Sequence, residues 1–547
     1  MKTNLLILIA IVGLGGCASN QSNQYELKTV AAYERAEADR KKLVTPSVQS
    51  PPRYVQQSEL KIKAKALLHQ NIQDESQETY VEIKGNGIKN VAMEPVSTFS
   101  IDVDTAAYAN ARRFIVDGRL PPKNSVRVEE FINYFSYQYE NPKDFNSPFA
   151  MHTEVGPSPW SKDRYLLHVG IKGIDIEPED RKSKNLVFLL DVSGSMHARN
   201  KLGLVKKSLS LLTKQLTESD TVAIVVYAGS SGLVLPPTPA SKRAVIMNAL
   251  DQLQAGGSTN GGAGIQLAYK TAQEAFIENG VNRVILATDG DFNVGVVGVE
   301  NLVNMISKKK KNGIGLTVLG FGMGNYNDHL MEMISNKGDG NAAYIDTLKE
   351  AQKVLVNDLE ANMVTIAKDT KIQIEFNPAI VSEYRLVGYE NRHLNREDFN
   401  NDKIDAGEVG AGHSVTAIYE IALVGSENLA FSPLRYDKND FLEKQGTGSM
   451  NELAYLKIRY KRPNESNSNL LTHIIDRSMI KNNLENTSES FQFSAAVSAF
   501  AQKLRGGTHL NDYEYKSIMK LARQSRGSDG HGYRSEFLQL VELASSL

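Results

Sequence analysis

The sequence predicts an α/β fold, a doubly wound and mostly parallel sheet flanked by a β-rich sandwich domain and C-terminal helices. Three observations carry that expectation. Short apolar runs alternate with helical patterns from Asn185 to Met363, and such alternation covers both faces of a parallel sheet. Beyond Met363 the apolar periodicity falls to two, the spacing of half-buried antiparallel strands. From Phe491 onward helical spacing returns.

Taken from its amino end, the chain opens with Met1-Lys2-Thr3 and the apolar stretch Leu5 to Leu14, the make-up of a secretion signal and too short for a good membrane span. The stretch ends at Leu14-Gly15-Gly16-Cys17, and small residues before a cysteine resemble the bacterial lipobox. The resemblance implies a signal peptide over residues 1–16, acylation of Cys17 with fatty acid such as palmitate, and anchorage to a membrane of the cell envelope. Each buried methylene of such chains contributes about 0.8 kcal/mol. Ala18 follows in place of an aspartate, which in Gram-negative lipoproteins resembles sorting to the outer membrane. Cys17 is the only cysteine in 547 residues, so no disulfide forms within the chain.

Residues 17–90 read as a largely disordered tether, because Asn20 to Gln24 and Val44 to Pro52 are polar or proline-containing. Residues 91–180 form an N-terminal flanking region of globular texture, as at Ser97 to Tyr108 and Val126 to Phe135. A strand pattern near Tyr165 to Ile171 would join the sandwich from this side. Asp102 and Asp104 alternate along a strand pattern and read as solvent-facing or helix-capping acids in preference to a shared cation site.

Residues 181–365 carry the alternating pattern. Strand-like runs lie at Asn185 to Leu190, Thr221 to Tyr227, Arg283 to Ala287, Gly315 to Gly320 and Ala342 to Ile345. Helical patterns lie at Lys201 to Leu216, Ser241 to Leu253, Gly264 to Ile277, Val299 to Lys311 and Leu348 to Met363. Directly after the first strand stands Asp191-Val192-Ser193-Gly194-Ser195, which puts one carboxylate and two hydroxyls on a single turn, with Gly194 permitting the bend. Hard oxygen donors of this kind suit Mg²⁺ or Mn²⁺. An isolated match would be read as a helix N-cap instead. Two later segments add donors: Thr259 in the glycine-rich loop Gly256 to Gly262, and Asp289 after the strand Val284 to Ala287. Ligands of doubly wound sheets bind beyond strand carboxyl ends where the strand order reverses, and positions 191 and 289 fit two such ends.

A D-x-S-x-S motif, a distant threonine and a strand-ending aspartate in this order resemble the metal-ion-dependent adhesion site of von Willebrand factor A domains. The resemblance implies that Ser193, Ser195 and, with ligand bound, Thr259 touch the metal. Asp191 and Asp289 would supply charge, often through water, and an Asp or Glu of a partner protein would fill the open coordination position. The segments between Ser97 and Phe135 also resemble the region before the A domain in a family of bacterial lipoproteins that carries a C-terminal region of unknown function. That resemblance spans about residues 90 to 547.

In the β-rich domain, residues 366–465, alternation marks Thr370 to Phe376, Ser414 to Leu423 and Glu452 to Tyr460 as strands of an antiparallel sandwich. The helical C-terminal region, residues 466–547, has its patterns at Phe491 to Leu504, Tyr513 to Ala522 and Arg534 to Leu547. The loop Asp398 to Glu408 opens like a calcium loop, but Lys403 and Val409 stand where an EF-hand needs glycine and glutamate, so turn chemistry is expected. The run Lys308 to Lys311 ends an amphipathic helix and is expected to be a solvated helix end.

With 62 basic and 63 acidic residues the chain lacks the positive field of a nucleic-acid binder. No hydrolase, zinc-protease or P-loop motif is present, and the serines of the candidate site have no identifiable general base. The expected function is therefore non-enzymatic, with no catalytic residues: a lipid-anchored envelope protein that binds a protein partner through a divalent metal. The alternatives are an envelope glycan or peptide hydrolase with its chemistry in the flanking domains, and a scaffold that uses the metal for stability.

Overall fold

The structure is a computed structural model that describes residues 78–143, 147–259, 261–290, 292, 298–432 and 451–547. The expected signal peptide, Cys17 and most of the tether lie outside the described residues. Numbered along the chain, β1 (Lys89–Asn90) falls at the end of the segment expected as a tether, where the chain is instead paired into a sheet, and the flanking region contains β2 (Val96–Ser100), β3 (Phe149–Pro157) and β4 (Arg164–Gly173). The following α/β segment contains β5 (Lys184–Asp191), β6 (Thr221–Tyr227), β7 (Ser231–Pro239), β8 (Val281–Thr288), β9 (Ile314–Phe321) and β10 (Ala342–Ile345). The remainder contributes β11 (Thr365–Phe376), β12 (Val381–Val387), β13 (Gly407–Gly410), β14 (Ser414–Leu423), β15 (Glu452–Lys461) and β16 (Asn469–Asp476).

The central sheet has the order β10-β9-β8-β5-β6-β7. All its pairings are parallel except that of β6 with β7. Every residue of β5 is buried, as a strand covered on both faces requires. Leu186, Phe188 and Leu190 enter one apolar cluster while Val187 and Leu189 enter another, because successive side chains point to opposite faces. The strand β7 is absent from the sequence pattern. Its prolines at 236, 237 and 239 obscure the alternation, and the sheet places them on an edge strand, where a missing N–H leaves no partner unsatisfied. The expected helix Leu348 to Met363 is interrupted: α-helical Leu348–Gln352 and Leu359–Met363 flank a π-helical turn at Lys353–Asn357.

Two antiparallel sheets complete the fold, β1-β12-β14-β4-β3 and β13-β11-β15-β16, with β2 pairing to β11. Leu167, Val169 and Ile171 of β4 share a core with Ile372, Ile374 and Phe376 of β11. On the opposite face Leu166 of β4 and Ile418 of β14 meet Phe491, Phe500 and Phe537 of the C-terminal helices, together with Phe131 of the flanking region. The flanking strands β2, β3 and β4 thus complete both sheets of the sandwich.

Several acids lie elsewhere than the sequence places them. Asp102 and Asp104 follow the end of β2 and are each 3% exposed. Both accept hydrogen bonds from Arg392, whose Nε reaches Asp102 Oδ2 at 3.0 Å and whose Nη2 reaches Asp104 Oδ2 at 3.3 Å. A guanidinium from a distant turn, not solvent, neutralises them. Lys310 is likewise no solvated helix end: it pairs with Asp339, with Asp405 at 3.1 Å and with Glu408 at 3.4 Å. In the loop Asp398 to Glu408, Asp402 pairs with Arg459 at 3.1 Å, Asp405 and Glu408 pair with Lys310, and Asp398 caps its own turn by accepting from the Asn395 N–H at 3.0 Å.

Candidate metal centre

Asp191 is the last residue of β5, and Asp289 directly follows β8. The chain leaves β5 toward β6 on one side and returns to β8 on the other, which makes the ends of β5 and β8 the switch point of the sheet. Both aspartates have no exposed surface, and Ser193 has almost none.

The Asp191 carboxylate is held on both oxygens. Oδ1 accepts from the Ser193 N–H at 2.8 Å, while Oδ2 accepts from Tyr227 OH at 3.1 Å and from Thr288 Oγ1 at 3.3 Å. Burial is the largest influence on its proton affinity and raises it above the usual carboxylate range. Hydrogen bonds from Ser193 oppose that shift, and the neighbouring charge of Asp289 adds to it. A cation between the two acids would relieve both the burial and the repulsion.

The Ser193 and Ser195 hydroxyls lie 2.9 Å apart on the turn after β5. The glycine-rich loop is stitched to this turn by two main-chain bonds, Gly194 N–H to Gly257 C=O at 2.9 Å and Gly256 N–H to Val192 C=O at 2.7 Å. Gly257 takes φ +89° with a Cβ position only 3.2 Å from Gly229 N in the connection from β6 to β7, so a side chain there would push the loop away from that connection. Thr259, half-buried, is delivered to this edge of the sheet at the entrance to the helix Gly261–Glu274. Asn260 and Asp291 lie outside the described residues.

Three residues of the centre carry no mark in the sequence motif. Tyr227 ends β6 and Thr288 ends β8, and both steer Asp191. The third is Lys201, whose Nζ donates to Asp289 Oδ2 at 2.8 Å. Its only sequence signal is a lysine just before an amphipathic helix, ten positions beyond Asp191, and nothing local says where its ammonium points.

The donor set is all oxygen, two carboxylates and nearby hydroxyls, and a cationic group of the chain already stands beside Asp289. These residues fit a hard divalent cation, with the serines and Thr259 offering neutral donors and the aspartates offering charge. Among the described residues no group of three or more His, Cys, Asp or Glu side chains gathers as an alternative metal site.

Family models match three parts of the chain: von Willebrand factor over residues 74–168, von Willebrand factor type A domain over residues 185–357, and the C-terminal region of the uncharacterized protein YfbK over residues 361–547. The uncharacterized protein YfbK of Escherichia coli K12 is 46% identical over 475 residues, covering 86% of this chain and 81% of the relative. Human inter-alpha-trypsin inhibitor heavy chain H3 is 25% identical over 367 residues, covering 61% of this chain and 39% of that protein. Among solved structures, a von Willebrand factor type A protein from Catenulispora acidiphila is 14% identical, with a TM-score of 0.40, covering 72% of this chain and 89% of its own.

Proposed function

Since the chain belongs to the family of Escherichia coli YfbK and contains a von Willebrand factor type A domain, we propose that it is a non-enzymatic, lipid-anchored envelope protein that binds a protein partner through Mg²⁺ or Mn²⁺. Ser193, Ser195 and Thr259 would hold the cation with Asp191 and Asp289 as its counter-charges, and an Asp or Glu of the partner would complete its coordination. The supporting observation is the convergence of two fully buried carboxylates and a hydroxyl pair at the switch point of the sheet. Similarity to the heavy chain of an inhibitor supports a binding role as well.

When bound, the metal supplies a Lewis-acidic position for a carboxylate. The chain's own residues fix that position. Tyr227 and Thr288 prevent Asp191 from rotating, and the two main-chain bonds through Gly194 and Gly256 keep the serine turn and the Thr259 loop in register. Anchorage rests on Cys17 and its preceding small residues.

The test is recovery of envelope proteins with the mature chain in Mg²⁺ and in EDTA, with Asp191→Ala in parallel. A partner lost on both chelation and substitution is the expected result. Equal recovery in every arm would remove the metal from the function.

A further inference from the structure

We propose that Lys201 is a built-in cation that sets the charge of the metal centre: it weakens the centre's hold on the metal and leaves the loaded centre positive, ready for one carboxylate of a partner. The inference rests on the metal-site reading above.

Lys201 is buried, 7% exposed, and its ammonium meets an aspartate with no exposed surface. A lysine stem is rarely given up to the interior, because its head loses hydration and its rotamers are frozen. Here the fold makes room for it. Gly322 follows β9 with φ +74°, and a Cβ on it would lie 2.5 Å from both Cγ and Cε of Lys201. The stem crosses the surface of the next strand end only because that position lacks a side chain. The main chain around Lys201 is held too, since its N–H bonds to Ala198 C=O at 3.0 Å and its C=O receives the Leu204 and Val205 N–H groups at 2.9 Å.

Charge counting gives the consequence. Asp191 and Asp289 together carry two negative charges, and Lys201 cancels one. A divalent cation added to that remainder leaves a net single positive charge, which one acidic side chain of a partner neutralises. Without Lys201 the same cation would balance the two aspartates alone. It would be held more tightly, and an incoming carboxylate would meet a neutral centre. Like charges confined in a site of low dielectric repel strongly, so the lysine trades metal affinity for carboxylate affinity. It acts through charge and is a specificity-determining residue, not a ligand.

The experiment is a Mn²⁺ titration of the mature chain with free ion followed by electron paramagnetic resonance, for wild type, Lys201→Met, Lys201→Arg and Asp191→Ala. Lys201→Met is expected to bind Mn²⁺ at least about tenfold more tightly, with Lys201→Arg close to wild type. Acetate added to the Mn²⁺-loaded chain is expected to perturb the spectrum at lower concentration in wild type than in Lys201→Met. Mn²⁺ affinity of Lys201→Met equal to or weaker than wild type overturns the proposal while leaving the metal site standing. Absence of saturable Mn²⁺ binding from both wild type and Lys201→Met sinks the metal-site reading itself. Circular dichroism checks folding, and Lys201→Gln carries the same comparison if the methionine variant is unfolded.

Discussion

Arg127 and Asp328, 201 residues apart in the chain, meet through a buried ion pair with Nη2 2.9 Å from Oδ1. Arg127 immediately precedes the flanking helix Val128–Asn133, and Asp328 opens the A-domain helix Asp328–Lys337. Glu130 takes the guanidinium Nε, so the charge is answered from its own helix and from the A domain. The flanking region is therefore part of one interlocked body with the von Willebrand factor A domain, and not a spacer in front of it.

Breaking that pair leaves a buried guanidinium short of a partner. Asp328→Ala is expected to destabilise the protein by about 3 kcal/mol or more, as one-sided removal of buried pairs does. Lys270 and Glu274 form a contrasting pair at 3.9 Å with side chains 73% and 58% exposed, and Lys270→Ala should change stability by less than about 0.5 kcal/mol. Urea unfolding of both variants checks the ranking.

A metal that binds only the folded chain must also raise its thermal stability. At a free Mg²⁺ or Mn²⁺ concentration near 100 times the dissociation constant, the gain is about 2.7 kcal/mol. Wild type should show a concentration-dependent rise in Tm that EDTA reverses, and Asp191→Ala should show none. A rise that persists in Asp191→Ala would place the metal elsewhere.

His168 is expected to make the stability of the fold depend on pH. It lies between Tyr139 OH at 2.5 Å and Ser494 Oγ at 3.0 Å, joining β4 to the helix Glu489–Leu504. Burial, aided by the charge of His152, pulls its pKa from 6.5 down to about 3. The folded state thus refuses a proton that the unfolded chain accepts. Stability is complete above about pH 6.5 and falls as pH drops toward 3, by up to about 1.4 kcal/mol per unit. His168→Gln should flatten that acid limb in denaturant titrations at stepped pH. An unchanged slope would mean that the imidazole protonates freely in the fold.

Gly410 and Gly203 should respond oppositely to alanine. A Cβ on Gly410 would lie 1.6 Å from the carbonyl oxygen of Ala361, a main-chain atom that cannot turn aside, whereas one on Gly203 meets nothing within 4 Å. Gly410→Ala is expected to cost about 3 kcal/mol or more. Gly203→Ala, inside the helix Leu202–Thr213, should gain roughly 0.5–1 kcal/mol. Calorimetric Tm values of the two variants test the contrast.

Cys17→Ser is expected to move the protein from the membrane to the soluble fraction in detergent partitioning, since the acyl anchor would have no thiol to attach to. Retention of the variant in the membrane fraction would require another means of attachment.

Much of this architecture can be read along the chain. The β5 and β8 runs are apolar enough to demand cover on both faces, and Asp191 and Asp289 stand at their ends in sequence as in space. The pattern was less informative wherever composition masked it. The prolines of β7 suppressed its alternation, and the π-helical turn at Lys353–Asn357 broke a helix that hydrophobic spacing alone had drawn as continuous. The acids at 102 and 104 read from their type and spacing as solvent-facing or helix-capping, but a distant cation, Arg392, meets both in the interior.

Legible along the chain are the alternation of β5, β6, β8, β9 and β10 with helices, the change from parallel to antiparallel construction after Met363, and the turn that carries Asp191, Ser193 and Ser195, whereas β7, β12, β13 and β16 are not. The legible features follow from periodicity and turn chemistry, which act over a few neighbouring residues. Only the tertiary structure decided which charges meet across the fold: Lys201 with Asp289, Arg392 with Asp102 and Asp104, Arg127 with Asp328. Ion pairing depends on separation through space and on loss of water, and local spacing along the chain encodes neither.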